Sequence, residues 1–273
     1  MGLIDGKVAI VTGSGRGIGA ATAKLLAQHG ARLVVSDLDE APAEETAAAI
    51  RAVGGEAVTF CGDVTQPDFP AAIVQKAAEA YGGLDILVNN AGFTWDSMLH
   101  TMTDKQWEVI IGVHLTAPFR MARAAANIMR EQAKAEIAAA GQAQPRKIVN
   151  ISSISAFYGN IGQANYAAAK AGVVGLTRVI AREWGRFNIQ ANAVSFGWIE
   201  TRLTADKAQG EAIEVAGEMV ALGIPQSGLE ARKQIVALGR PGTPEEAAGP
   251  ILFLCSPLAN YVTGHLLKVD GGR

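Results

Sequence analysis

The sequence predicts an α/β fold: one open, doubly wound sheet of about seven parallel strands, with helices on both faces, in a single domain over residues 1–273. Three observations carry this. Short β-rich apolar runs alternate with longer Ala-rich helical patterns along the chain, the rhythm of βαβ units. The strand runs are apolar almost throughout, as expected where helices cover both faces of a sheet. No Pro/Gly/Ser linker or internal repeat divides the 273 residues, and 49% hydrophobic against 18% charged residues is enough for one large core.

The elements follow in order. Strands are expected at Val8–Val11, Arg32–Ser36, Ala57–Cys61, Ile86–Asn89, Lys147–Ile151, Ile189–Val194 and Leu266–Val269. Helical patterns lie between them at Gly19–His29, Pro42–Val53, Asp68–Tyr81, Asp104–Ala138, Asn165–Phe187 and Glu245–Leu254. Right-handed crossovers would place these helices alternately on the two faces. Two segments break the rhythm. Arg130–Arg146 reads as an extended helix end and a surface loop. Thr201–Arg240 is long for a connection and lies outside the sheet, which suggests a lid over about 201–240.

Bulk properties exclude several classes. The net charge is −2, with no basic surplus for nucleic acid and no Lys/Arg run for an anionic membrane. Cys61 and Cys255 are far apart and fit no metal or redox spacing, and His29, His100, His114 and His265 show no ligand pattern. No Gly-x-Ser-x-Gly elbow, His-Glu-x-x-His pair or Gly-x-x-x-x-Gly-Lys-Ser/Thr loop occurs. A signal peptide, a myristoyl anchor and a membrane span are not expected, so the chain reads as soluble and cytoplasmic.

The first strand runs into Thr12-Gly13-Ser14-Gly15-Arg16-Gly17-Ile18-Gly19, after which a helix begins. Glycine allows positive φ and close approach of a ligand, and free N–H groups at a helix start attract phosphate. The spacing is GxxxGxG. Alone it could be a tight corner, but strand, turn, helix and a following acid together indicate a dinucleotide site. The acid is Asp37, directly after Arg32–Ser36. Its carboxylate could accept from both ribose hydroxyls of NAD and would repel a 2′-phosphate; the alternative is a solvated or helix-capping Asp. Arg16 could instead pair with a 2′-phosphate. NAD(H) is favoured and NADP(H) stays open. Asp63-Val64 and Asn89-Asn90-Ala91-Gly92 end the third and fourth strands, where open α/β sheets bind ligands.

Tyr166 and Lys170 share one face of a helix at i, i+4. A cation one turn away favours tyrosinate, so Tyr166 could exchange a proton with a carbonyl or alcohol oxygen. Taken alone, a Tyr-x-x-x-Lys pattern is more often a surface Lys beside a packing Tyr. Here Ser153 ends the fifth strand thirteen residues earlier, and its hydroxyl could hold the substrate oxygen against the phenol.

Thr12–Gly19, Asn89–Gly92, Ser153 and Tyr166-x-x-x-Lys170, in that order, resemble the short-chain dehydrogenase/reductases, a Rossmann-type family. The resemblance covers nearly the whole chain. Within the family, Gly162–Gly172, Ile199-Glu200-Thr201, Thr263-Gly264 and Asp270-Gly271-Gly272 are most similar to 3-oxoacyl-[acyl-carrier-protein] reductases of fatty acid metabolism. It implies catalysis by Ser153, Tyr166 and Lys170, with Lys170 also on the nicotinamide ribose. It implies a cofactor cradle of Gly13, Arg16, Gly17, Ile18 and Gly19, with Asp63 and Val64 at the adenine. Asn90, Ala91 and Gly92 would line the ribose and nicotinamide side, and Ile199 and Thr201 the carboxamide. It also implies a homotetramer built on the long helices, and a small-molecule or acyl-thioester substrate, with acyl carrier protein as a partner.

The sequence departs from that pattern in places. His114 stands where the family has an Asn that holds a relay water; imidazole can also hold a water and would add a pH dependence near neutrality. The alternative is a buried, hydrogen-bonded His. Phe196 replaces a Pro, and Trp198 follows two residues later. Met219, Val220, Leu222, Ile224 and Pro225 would suit an apolar substrate or anchor the lid. Arg182 and Arg186 offer basic groups to an acidic partner, but Asn188 stands where such relatives have another base. A dehydrogenase of another alcohol or ketone (a hydroxyacyl-CoA, steroid or sugar alcohol) is one alternative, and a non-catalytic cofactor-binding regulator another.

Overall fold

The computed structural model describes residues 2–273. The strands are β1 (Val8–Thr12), β2 (Arg32–Ser36), β3 (Ala57–Thr59), β4 (Ile86–Asn89), β5 (Arg146–Ser153), β6 (Ile189–Phe196), β7 (Ala212–Val215), β8 (Glu218–Ala221) and β9 (Leu266–Val269). The helices are α1 (Gly17–Gln28), α2 (Glu40–Ala52), α3 (Phe69–Tyr81), α4 (Asp104–Ile111), α5 (Ala117–Ala140), α6 (Ser155–Tyr158), α7 (Ala164–Trp184), α8 (Gln226–Ile235) and α9 (Pro244–Cys255). Seven strands form one parallel sheet in the order β3-β2-β1-β4-β5-β6-β9.

Strand alternation divides the core in two. Along β1, Ala9 and Val11 face a layer that holds Leu26 of α1, Ile50 of α2 and Leu254 of α9. Val8 and Ile10 face the opposite layer, with Ile73 of α3, Met121 and Met129 of α5 and Ile180 of α7. Between β1 and β4 the direction of winding reverses. That switch point opens a crevice beyond the carboxyl ends of the strands, where ligands of such sheets bind.

The structure corrects several expectations. The helix expected over Asp104–Ala138 is interrupted by a π-helical turn at Gly112–Thr116. Pro118 follows at the start of α5; it has no N–H to give the carbonyl of His114, so the ladder shifts register there. Arg146 is not a loop residue. It opens β5 at 1% exposure, and its guanidinium bonds both oxygens of Glu136 (2.6 and 3.0 Å). The third strand ends at Thr59 rather than Cys61. Residues 201–240 hold an antiparallel hairpin, β7–β8, and α8. In that hairpin Val215 and Val220 pack inward on Trp95 and Ile110, while Met219 is 71% exposed and lines no substrate surface.

Candidate active site

A cavity of about 1500 Å³ runs along the carboxyl ends of the strands. The glycine turn forms one wall. Gly13 and Gly17 have φ of 63° and 53°, and a Cβ on Gly19 would lie 2.0 Å from the Gly13 carbonyl oxygen. The turn therefore admits no side chain at these points, and its backbone stays open to a ligand. Thr12 and Asn90 brace it: the N–H groups of Asn90 and Ala91 donate to Thr12 Oγ1 (3.1 Å each), and Asn90 Nδ2 donates to the carbonyls of Thr12 and Gly13 (2.9 Å each). Thr12 belongs to the expected glycine motif, but the role of its hydroxyl, which joins β1 to the end of β4, was not anticipated.

Asp37 lies at the end of β2 and lines the cavity. Its Oδ2 accepts from the Gly15 N–H (2.9 Å), so the acid is tied to the glycine turn. Arg16 also lines the cavity, but its Nη1 is 2.8 Å from Asp39 Oδ2. Asp63 accepts from Thr65 N–H (2.8 Å), Thr65 Oγ1 (2.7 Å) and Gln66 Nε2 (3.2 Å). Burial pushes its carboxyl up, but these three bonds together hold it below the usual range. Val64 is buried beside it. Ile18, Ala91 and Gly92 line the same cavity. Ile199 is buried and bridges Gly242, while the Thr201 methyl would lie 3.5 Å from a Cβ on Gly17. Phe196 packs in the core and Trp198 lines the cavity. The open backbone at the turn's glycines and the acid beside it fit a dinucleotide.

At the other end stand Ser153, Tyr166 and Lys170. Ser153 ends β5, and its hydroxyl accepts from the Ser155 N–H (3.2 Å). Burial pushes the Tyr166 phenol up to about 12; the Ser153 hydroxyl lowers it and the Asp96 charge raises it. Lys170 is 4% exposed, and its Nζ donates to the Ile151 carbonyl (2.6 Å), 5.6 Å from the centre of the Tyr166 ring. Burial pulls its pKa down to about 7. The expected lowering of the phenol by a neighbouring cation is thus outweighed by burial of both groups.

His114 sits in the π-helical turn at 3% exposure. Its Nε2–H donates to the Phe93 carbonyl (2.6 Å), so Nδ1 is the bare acceptor, and it has no partner among the described residues. The ring meets Tyr166 edge to face, centroids 4.9 Å apart. Burial and the Lys170 charge hold its pKa well below 6.5, so the expected titration near neutrality is absent. The sequence also gave no signal for two polar anchors. Buried Asn165 donates to the Trp95 and Gln106 carbonyls (3.2 and 3.0 Å) and accepts from the Tyr166 N–H (2.7 Å), locking the start of α7. Gln163 Nε2 donates to both oxygens of Asp96, and its Oε1 accepts from Ser155 Oγ.

Comparison with known proteins agrees with this geometry. Residues 13–273 match the family described as enoyl-(acyl carrier protein) reductase. The chain is 36% identical to the 3-oxoacyl-[acyl-carrier-protein] reductase FabG of Thermotoga maritima, over 98% of each chain. It is 38% identical to the FabG of Chlamydia muridarum, over 99% of this chain and 98% of that one. It is also 38% identical to the short-chain reductase NovJ of Streptomyces niveus, over 97% and 93%. A crystal structure described as a short-chain alcohol dehydrogenase of Sinorhizobium meliloti 1021 superposes with a TM-score of 0.84 at 33% identity, over 98% of this chain and 96% of that one. No helix among the described residues is long and apolar enough to cross a membrane. With this fold, this cavity and these full-length relatives, the chain belongs to the short-chain dehydrogenase/reductase family and is an oxidoreductase that works with a nicotinamide cofactor.

Proposed function

We propose that this enzyme reduces the ketone of a 3-oxoacyl thioester, reversibly, with NAD(H) as the favoured cofactor. The observation that carries the reading is the convergence of Ser153, Tyr166 and Lys170 on one cavity that begins at the glycine turn and Asp37. The cofactor would supply or accept the hydride. Gly13, Ile18 and Gly19 would hold its phosphates, with Asp63 and Val64 at the adenine. Asp37 would accept from the ribose hydroxyls, and Asn90, Ala91, Gly92, Ile199 and Thr201 would border the nicotinamide half.

Ser153 holds the carbonyl oxygen by a hydrogen bond, and the Tyr166 phenol, protonated at neutral pH, donates to that oxygen as negative charge develops. Lys170, anchored on the Ile151 carbonyl, sits beside the phenol and in its protonated form favours the tyrosinate left behind. The segment 201–240 acts as a lid, since its hairpin packs on Trp95 beside the cavity. Pairing of Arg16 with Asp39 supports NAD(H) over NADP(H), because the guanidinium is engaged by a carboxylate.

A shallow groove of about 440 Å³ between α5 and the end of α7 carries Arg130, Arg182 and Arg186 with one carboxylate, Glu183. These three cations, with Arg130 and Arg186 stacked on Phe187, support an acidic acyl carrier as the substrate's bearer. The test follows loss of the reduced-nicotinamide absorbance with NADH and NADPH, using acetoacetyl-CoA, crotonyl-CoA and a panel of secondary alcohols and ketones. Turnover of acetoacetyl-CoA with NADH, and not of crotonyl-CoA, is the expected result. Turnover confined to the alcohol panel would replace the thioester reading with another alcohol/ketone oxidoreductase.

A further inference from the structure

Four arginines line the cavity: Arg16, Arg202, Arg232 and Arg273. Two have carboxylate partners, Arg16 with Asp39 (2.8 Å) and Arg202 with Glu211 (3.8 Å). The guanidiniums of Arg232 and Arg273 make no ion pair or hydrogen bond with the described residues. Arg232 projects from α8 and is half-buried. Arg273 rests over the Tyr158 ring, 5.3 Å from its centre. The two cations are close enough to oppose each other: burial, then the charge of Arg273, pulls Arg232 below the usual range for arginine.

The carboxylate of Asp96 attracts Arg232 but makes no ion pair with it. Both oxygens of Asp96 accept from Gln163. Asp96 also acts on Tyr166, so one carboxylate lies within electrostatic reach of both Arg232 and Tyr166. A partly desolvated cation beside a like charge is unfavourable unless an anion meets it, and two guanidiniums offer the forked donors that carboxylate and phosphate groups accept.

We infer that Arg232 and Arg273 form an anion subsite in the substrate half of the cavity, so that the preferred substrate is a carbonyl compound bearing a negatively charged group away from its reacting carbon. This rests on the reading of the cavity as a carbonyl-reducing site. The anion has two chemical sources: a carboxylate on the acyl chain, or the phosphate of a thioester's pantetheine arm.

Three thioesters separate them: acetoacetyl-N-acetylcysteamine, which is uncharged; 3-oxoadipyl-N-acetylcysteamine, with a carboxylate; and acetoacetyl-CoA, with phosphates. Arg232→Gln and Arg273→Gln are each expected to lower the kcat/KM preference for an anionic over the uncharged substrate by about tenfold or more, mainly through KM. Arg232→Lys should retain much of that preference. Lys233→Gln, an exposed neighbour paired with Glu230, is the control and should change nothing. Loss confined to the 3-oxoadipyl substrate assigns the carboxylate, and loss confined to acetoacetyl-CoA assigns the phosphate. An unchanged preference, or an equal fall for charged and uncharged substrates, overturns the subsite. If no thioester is turned over, the reaction assignment fails and calorimetry decides the subsite alone, with adipate titrated into cofactor-saturated protein. Binding weakened about tenfold or more by Arg232→Gln keeps the subsite; equal affinity, or no adipate binding by the unsubstituted protein, removes it.

Discussion

Arg16 and Asp39 pair at 2.8 Å across the mouth of the glycine turn, and two residues before Asp39 the carboxylate of Asp37 accepts from Gly15. The one guanidinium beside the adenosine end is therefore held by an acid, and a second acid stands where ribose hydroxyls would arrive. Asp37→Ser should lower kcat/KM with NADH by about tenfold to a hundredfold, the range for hydrogen bonds to a charged group. Asp39→Asn should release Arg16 and raise kcat/KM with NADPH. Steady-state kinetics with both cofactors checks this, and an NADPH preference insensitive to either change would reject the role of Asp37.

The phenol of Tyr166 titrates at about 12, so it stays protonated and able to donate across ordinary pH. Ketone reduction should vary little with pH on its account, while alcohol oxidation, which needs the phenolate, should climb with pH toward that value. Tyr166→Phe should cost about 10²- to 10⁴-fold in kcat, the usual range for a proton-transfer group, with cofactor affinity retained in a fluorescence titration. Loss of both together would make Tyr166 a binding residue instead.

Lys170 carries a signed stability consequence. Its pKa is about 7 in the folded protein against 10.5 for the ordinary side chain. Between those values the unfolded chain holds a proton that the folded chain has released, so stability rises with pH over that window. The burden of the buried cation is fully present below pH 7. Lys147, at about 8, acts in the same direction over a narrower range. In urea unfolding of cofactor-free protein, the wild type should gain on Lys170→Met between pH 7 and 10. A constant difference between the two curves would contradict the buried-cation account.

Gly92 and His114 are sterically coupled. A Cβ on Gly92 would lie 2.1 Å from His114 Cε1. Gly92→Ala should destabilise the fold by about 1–3 kcal/mol through overpacking, and His114→Ala in the same chain should recover part of that loss. A double-mutant cycle in urea measures the coupling. Because His114 is held neutral by its surroundings, His114→Asn should remove no step from the activity profile between pH 5 and 8.

Trp107 on α4, Phe119 on α5 and Val179 on α7 are 41%, 43% and 51% exposed. These apolar groups on the long helices are the surfaces expected to pair subunits. Light scattering should give a mass four times the 28.4 kDa of the chain, and Phe119→Asp should shift it toward smaller species. A monomer in solution would remove the tetramer from the account.

Much of this was legible in the residues, for identifiable reasons. The β1–turn–α1 unit combines an apolar run, glycines and a helix start, all local signals, and Gly13, Asp37, Asp63 and Asn90, read from separate strand ends, line one cavity. The π-helical turn at Gly112–Thr116 was not legible, because it depends on Pro118 withholding a bond from His114 within an otherwise ordinary helical pattern. Burial of Arg146 depends on Glu136, ten residues away across a helix cap. The phenol's high pKa is likewise a collective effect: i, i+4 spacing shows a cation near Tyr166, but only the packed structure shows that Lys170 is itself desolvated.

The Asn90 side chain spans the crevice between β1 and β4, with one bond to the last residue of β1 and one to the turn that follows it. The neighbouring strands are thus laced together at the one place where the winding of the sheet would let them part. A ligand arriving there meets walls already set at their working separation, and little ordering of the chain accompanies its docking. Asn90→Ala would leave the cradle's atoms in place while letting its width fluctuate. Its signature would be faster cofactor release at nearly unchanged association, a change in residence time rather than in recognition.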